Sequence, residues 1–423
     1  MSNFGIGDIK VSALKIGSID LTSFTQATYD SFEIYEDILS PHGAVSSINV
    51  IDHSDILGSN PQVMNGSYDQ DVEIKFSLAG SGGEEVGFKF KMLRNKNLID
   101  GGEEKRGSGH SKRYQIRCCS PELLNAQGNY IQKNYKEQTS KIVEDIYKNG
   151  FKTKKEFEVK DETKGQLKYN INRKHPAEAL KSLQQLHVSA QNESSLYVTF
   201  ERSENGNQKF IFTTFEQLFQ ESPVATLKQS TVLDSSKSNT QDRANAIIKL
   251  RIPDSFYTPS RPLTKTSKTS YNVVTGVQQT DPADKEPKFK YADSSPTFQQ
   301  VNHASSKKDT QIPSRTVIDP SNDKERTGIA EAKAKRAAFL AHLSQNYGKI
   351  EIIGNPKIKL GSMVNLEIFK KANDPKGGES QFNGKALVVS IKHTVNPIGQ
   401  SPRYVMELGV VKASYKEGGG NNG

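Results

Sequence analysis

The chain has 423 residues, no tryptophan, two cysteines and an apolar fraction of 34%. Each shortage excludes something. The cysteines, Cys118 and Cys119, are adjacent. Neighbouring cysteines rarely bridge each other, so there is no disulfide framework, and the sequence suits folding in a reducing cytoplasm. No run approaches the roughly 18 apolar residues that a spanning helix needs, so no membrane insertion is expected. Residues 1–20 lack the basic start and continuous apolar core of a secretory leader. The chain is long enough for roughly two to four domains. Its lean apolar content points to long polar connections, or to surfaces buried only in an assembly.

Catalytic signatures are also missing. The glycines at 80–83 lack the Lys-Ser/Thr that completes a phosphate-binding loop. The eight histidines never fall at the i, i+4 spacing of a helical zinc site. No serine sits in a nucleophile elbow. Glu84-Glu85 and Glu103-Glu104 lie in Gly-rich polar stretches, whereas a catalytic acid needs a pocket to raise its pKa; they read as solvated turn residues. The net charge of +9 is spread along the chain without an Arg-rich arm. Arg113 and Arg117 lack the aromatic interleaving of a nucleic-acid groove. No catalytic residue, metal site, cofactor or enzymatic activity is therefore expected.

What the sequence does contain is strand periodicity at both ends. From Tyr347 to Val411, three runs alternate: Val364, Leu366, Ile368; then Leu387, Val389, Ile391; then Tyr404, Met406, Leu408, Val410. Turn chemistry bounds them at Gly354-Asn355-Pro356, Leu360-Gly361, Asn373 to Gly378, Asn383-Gly384 and Asn396-Pro397. Period two with one apolar side describes half-buried strands. Residues 8–116 repeat the device. Val72, Ile74, Phe76 and Leu78 alternate with Glu73, Lys75 and Ser77, and Val86, Phe88, Phe90 and Met92 answer them across a glycine turn. Residues 95–113 read as a solvated loop or a long hairpin tip. Cys118 continues the alternation of Tyr114 and Ile116 and reads as a small buried apolar residue.

Between these ends the period becomes helical. Ile142, Val143, Ile146 and Tyr147 form a stripe stopped by Asn149-Gly150. Pro176 opens a second helix with Leu180, Leu183, Leu186 and Ala190 on one face, and an aromatic hairpin runs from Leu196 to Phe212. Thr258–Arg315 is polar and cannot bury enough apolar surface to order itself. Tyr271, Phe289, Tyr291 and Phe298 are spaced along it like anchors for a partner. Residues 324–344 read as a basic helix with Ala334, Ala337, Ala338 and Leu340 along it.

The expected fold class is α+β, mainly β: two tail-tube-like antiparallel barrels and an α+β insert. The expected divisions are a first barrel over 1–116, an α+β domain over 117–239, and a second, discontinuous barrel over 240–275 and 346–413. A polar loop and helix fill 276–345, and a disposable tail fills 414–423. His393 extends the face of Leu387, Val389 and Ile391. It reads as a hydrogen-bonded core histidine that pins its strand beside Tyr404–Val410, in preference to a pH switch or ligand. Gly354, Gly361 and Gly384 are the structural turn positions of this barrel.

Thr139-Ser140-Lys141-Ile142-Val143-Glu144-Asp145-Ile146, His175-Pro176-Ala177-Glu178-Ala179-Leu180 and Phe210-Ile211-Phe212-Thr213 follow one another. Leu360-Gly361-Ser362-Met363-Val364 and Asn383-Gly384-Lys385-Ala386-Leu387 come after them. In this order of elements the chain resembles the central baseplate hub proteins of contractile phage tails, of the T-even-like kind. It is also similar to the N-terminal hub part of type VI secretion spike proteins. The resemblance implies two tube-type barrels per chain and a homotrimer forming a pseudo-sixfold ring. The implied partners are the tail tube protein, a central spike protein and baseplate wedge proteins. Genomic DNA would pass through the lumen without sequence-specific binding. The sequence has no needle repeat before Gly423, so the resemblance implies a spike on a separate polypeptide. The alternatives are the hub of a related injection or secretion machine, a virion-associated cell-wall hydrolase, and a basic nucleic-acid-binding module.

Overall fold

The structure is a computed structural model. It describes residues 9–23, 27–60, 70–78, 85–93, 104–106, 109–191, 195–204, 207–229, 245–251, 266–271, 278–281, 315–319, 347–368, 382–396 and 403–412, with Ala332, Arg336, Leu340 and Leu343. The turn at 80–83, Phe289, Tyr291, Phe298, the alanines at 334, 337 and 338, and the tail at 414–423 lie outside the described residues.

The first β unit contains β1 (Ile9–Ile16), β2 (Ile19–Asp20), β3 (Ala27–Asp37), β4 (Val45–Asp52), β5 (Asp71–Leu78), β6 (Val86–Met92), β7 (Glu104–Arg106) and β8 (Gly109–Cys119). Their order is β2-β1-β5-β6-β8-β4-β3, with β7 paired to the start of β8 as a hairpin tip. Alternation sorts the residues. Val72, Ile74 and Phe76 of β5 and Phe88, Phe90 and Met92 of β6 are buried. Glu73 and Lys75 pair with each other on the other side, as do Lys91 and Asp71. Cys118 and Cys119 are both buried; burial pushes both thiols upward, Cys119 to about 11, which leaves no thiolate for chemistry.

The insert follows: α1 (Pro121–Gly128), β9 (Ile131–Glu137), α2 (Thr139–Asp145) continuing as a π turn (Ile146–Gly150), β10 (Glu156–Val159), β11 (Leu167–Lys174), α3 (Pro176–Gln184), β12 (Tyr197–Glu204), β13 (Asn207–Thr214) and α4 (Phe215–Phe219). It has its own core, in which Ile142, Val143, Ile146 and Tyr147 meet Leu183, Phe210 and Phe212. Leu183 faces this core, but α3 ends at Gln184, so Ala190 leaves the expected helical face and is exposed.

The second β unit is a closed ring of six strands: β14 (Ala225–Gln229), β15 (Ala246–Arg251), β19 (Tyr347–Ile353), β22 (Arg403–Val411), β21 (Gly384–Asn396) and β20 (Met363–Glu367), with β20 returning to β14. Two boundaries differ from the sequence reading. β14 lies within the span given to the insert, yet it closes the ring. It has five residues and one fully buried side chain, Leu227, too little for alternation to show. It runs parallel to both β15 and β20, so the ring is not wholly antiparallel. The stretch at 266–271, given to the barrel, instead forms β16 (Thr266–Tyr271). This strand pairs with β17 (Gln278–Asp281) and β18 (Arg315–Asp319) in a separate three-stranded sheet.

The two β units are continuous. β3 pairs antiparallel with β21 from Asp37↔Ser390 to Phe32↔Val395, and one hydrophobic core runs through both units. The protein is mainly β, with an α+β insert packed beside this seam.

Candidate functional site

The seam is where side-chain chemistry concentrates. β21 has a bulge between Val388 and Ser390. The bulge breaks the alternation: Leu387 and Val388 are both buried and Val389 only partly. Beyond it the phase is regular, and Ile391, His393 and Val395 point inward. The sequence reading placed Leu387 and Val389 on the face of His393; the extra residue shifts that phase.

His393 bridges three strands. Its Nδ1 lies 2.7 Å from the Tyr404 hydroxyl on β22, and its Nε2 lies 2.8 Å from Glu36 Oε1 on β3. A carboxylate only accepts, so Nε2–H donates to Glu36 and Tyr404 O–H donates to Nδ1. Burial, reinforced by the Glu36 charge, pushes the Tyr404 phenol well above its ordinary value, which keeps the hydroxyl a donor. Aromatic rings enclose the chain of bonds. Phe76 and Phe88 meet His393 edge-on at 6.1 and 5.8 Å, and Phe76 meets Tyr404 at 5.1 Å. Carboxylate, imidazole and hydroxyl in series is also the order of a hydrolytic triad. Here Tyr404 as a whole is 1% exposed and stands among packed rings, so no substrate reaches its hydroxyl. A small cleft lined by Glu36, Glu85, Phe88, Ser203, Lys359 and His393 opens beside the imidazole, away from that hydroxyl. Among the described residues no group of His, Cys, Asp and Glu is arranged to hold a metal.

The three glycines act in three ways. A Cβ on Gly354 would lie 1.8 Å from the Tyr404 ring, so the residue keeps that ring in place. Gly361 has a φ of +73°, and a Cβ there would lie 2.6 Å from Phe200 of the insert. Gly384 starts β21 at a φ of +100°, and a Cβ there would meet only Lys412 Nζ at an ordinary 3.6 Å, so backbone conformation alone requires it.

The insert is fixed to this seam by buried polar groups. Tyr147 donates to the Pro41 carbonyl at 2.8 Å. Lys155 lies between Glu122 and Glu201, at 2.9 and 2.6 Å. Burial opposes its charge, but the two carboxylates outweigh it and raise its pKa. Glu201 is raised as well, by burial first and then by Glu122, against the pull of Lys155. Arg202 donates from Nε to the Leu360 carbonyl at 2.8 Å, tying β12 to the turn that carries Gly361. Sequence reasoning missed Glu36, Lys155, Glu201 and Arg202. Their charges sit in strands and turns that read as ordinary solvated faces, and no local pattern marks them.

No family model matches the sequence, and no curated protein matches it. Solved structures do. The 43 kDa tail protein of prophage MuSo2 from Shewanella oneidensis is 11% identical, with 96% of this chain and 98% of that one covered at a TM-score of 0.54. A tail protein from Neisseria meningitidis MC58 is also 11% identical, with 96% and 97% covered at 0.55. The fold is that of phage tail proteins. A chain of the Francisella PdpA-VgrG complex matches at 10% identity and a TM-score of 0.51; this chain spans 55% of its length. The tail-protein fold thus extends over nearly the whole chain, so both β units, the seam and the insert belong to it.

Proposed function

We propose that this protein is a structural hub of a contractile phage tail baseplate. Three copies form a ring of six β units that joins the tail tube to a central spike. Wedge proteins surround it, and DNA passes through its lumen without sequence-specific contacts. It is assembled in the host cytoplasm and ends in the virion, and it carries out no catalysis. The observation that carries this reading is the chain-long likeness to two tail proteins, covering 96% of this chain in each case.

Two features support it. Each chain supplies two β units joined edge to edge, which suits doubling a threefold arrangement into a sixfold one. Tyr35, Leu39 and Val45 leave an exposed apolar group at the β3–β4 end of the first unit, with Leu39 63% exposed. Surface of that kind is what neighbouring copies cover. A second reading, the hub of a related injection or secretion machine, is favoured by the likeness to the Francisella complex. Mass in solution at assembly concentration tests the hub: a trimer is expected, and a stable monomer overturns it. A turnover assay on peptidoglycan tests the absence of catalysis. Hydrolysis by the pure chain, abolished by one acidic substitution, would replace the structural reading with a hydrolase.

A further inference from the structure

Away from the seam, a buried cation sits on the insert. Arg336 precedes β19 and has helical backbone, as do Ala332, Leu340 and Leu343; Ala332, Arg336 and Leu343 are buried, and Leu340 is exposed. The guanidinium donates to three backbone carbonyls of the insert: from Nε to Ser195 at 3.1 Å, from Nη2 to His187 at 2.8 Å, and from Nη1 to Gln184. Gln184 is the last residue of α3, where carbonyls lack intrahelical partners and carry partial negative charge. Ser195 has a φ of +51°, a region that residues with side chains avoid. Its Oγ accepts from the Ser189 amide at 2.9 Å, which holds the turn in place.

The walls are aromatic. His187 packs edge-on against Tyr197 and Phe212 at 5.2 and 5.4 Å. Burial, and then the Arg336 charge, pulls its pKa down to about 3, so it stands there as a neutral ring. Burial pulls Arg336 down to about 10, which leaves it charged at neutral pH. Among the described residues no carboxylate pairs with it. A buried charge is costly unless its donors are satisfied. Here a planar fork meets three fixed carbonyls, a geometry that a lysine ammonium cannot reproduce.

We propose that these carbonyls form a recognition socket on the insert for a guanidinium carried on a helix. In this conformation the chain's own Arg336 fills it. The socket reads backbone geometry, not a partner charge, so it selects arginine and tolerates variation around it. Through it the insert holds the segment that leads into β19, and thereby couples its own folding to closure of the ring.

The test uses the full chain carrying Arg336→Ala and a fluorescent peptide with the sequence of residues 324–344. The peptide should bind the variant saturably, and the same peptide with alanine or lysine at position 336 should bind roughly ten-fold or more weakly. The parent chain, whose socket is filled, should bind the arginine peptide at least as weakly as the variant binds the alanine peptide. Equal affinity of the arginine and alanine peptides, or no binding of either, overturns the proposal. If Arg336→Ala and Arg336→Lys both lose the fold of the whole chain, the arginine is a core brace with no exchangeable site, and the proposal also fails.

Discussion

Replacing His393 perturbs the seam most directly. Its imidazole holds Glu36 at 2.8 Å and Tyr404 at 2.7 Å, and all three residues are at most 5% exposed. Alanine removes one hydrogen bond to a charged acceptor, worth about 1.5–3 kcal/mol, and one neutral bond, worth about 0.5–1.5 kcal/mol. It also leaves a buried carboxylate without its donor, which costs about 1–3 kcal/mol and more for a charged group. These contributions overlap, so the expected loss is about 2–4 kcal/mol. Leucine fills the space but supplies no donor; Tyr404 stays enclosed, and Glu36 can reach water only through the small cleft that it lines, so His393→Leu should retain part of the loss. Glu36→Gln keeps an acceptor for Nε2–H and should cost about 1 kcal/mol. In the double variant Glu36→Gln/His393→Leu no charge remains stranded, so the two effects should couple by about 1–3 kcal/mol. Equilibrium denaturation of the parent and the four variants gives every quantity needed. A His393→Ala chain within about 0.5 kcal/mol of the parent, assembling as the parent does, would refute the reasoning and place the residue at the surface.

Further outcomes follow from the same geometry. Gly354→Ala should displace the Tyr404 ring, so the His393→Ala penalty should shrink in that background, whereas Gly384→Ala, limited to about 1–3 kcal/mol of backbone strain, should leave it intact; denaturation of the double variants checks both. Lys155→Met strands Glu122 and Glu201 together and should cost about 3–5 kcal/mol at neutral pH. The Glu201 pKa is already raised in the folded chain, so protonation relieves that cost. Melting of Lys155→Met should therefore approach that of the parent as pH falls from 7 towards the ordinary carboxylate range. Asp145 behaves oppositely. Partial burial raises its pKa, but hydrogen bonds from Tyr135, Lys133 and Asn149 outweigh it and hold the carboxyl below its ordinary value. Its contribution is present above the unfolded pKa and is lost as pH falls through the folded one, so Asp145→Asn should flatten the acid limb of the melting profile.

Much of this architecture was legible because local pattern and global burial agree. β5 alternates without interruption, and β6 and β22 do so apart from the buried Gly87 and Gly409 and the buried end of β22 at Val411; their large inward residues are those the period selects. The helical stripe from Ile142 to Tyr147 is equally clear, although it passes from α into a π turn that the sequence does not announce. Legibility fails where partners are remote or elements short. Glu36 meets His393 across 357 positions of sequence, and within its own strand it is one acidic residue among several. The bulge at Val388–Ser390 has no glycine to mark it, so the period was carried one residue too far. β14 is too short to show a period, and its place is set by the strands beside it. Arg336 looked like one more cation on a basic helix, because three carbonyls leave no trace in sequence.

The central claim is that two β units per chain build a sixfold ring from three copies. An image of the purified assembly viewed along its axis tests it most directly. The account predicts three copies and six similar β lobes around an open centre. A ring with another number of copies, or three copies with only one β unit each facing the axis, would contradict it.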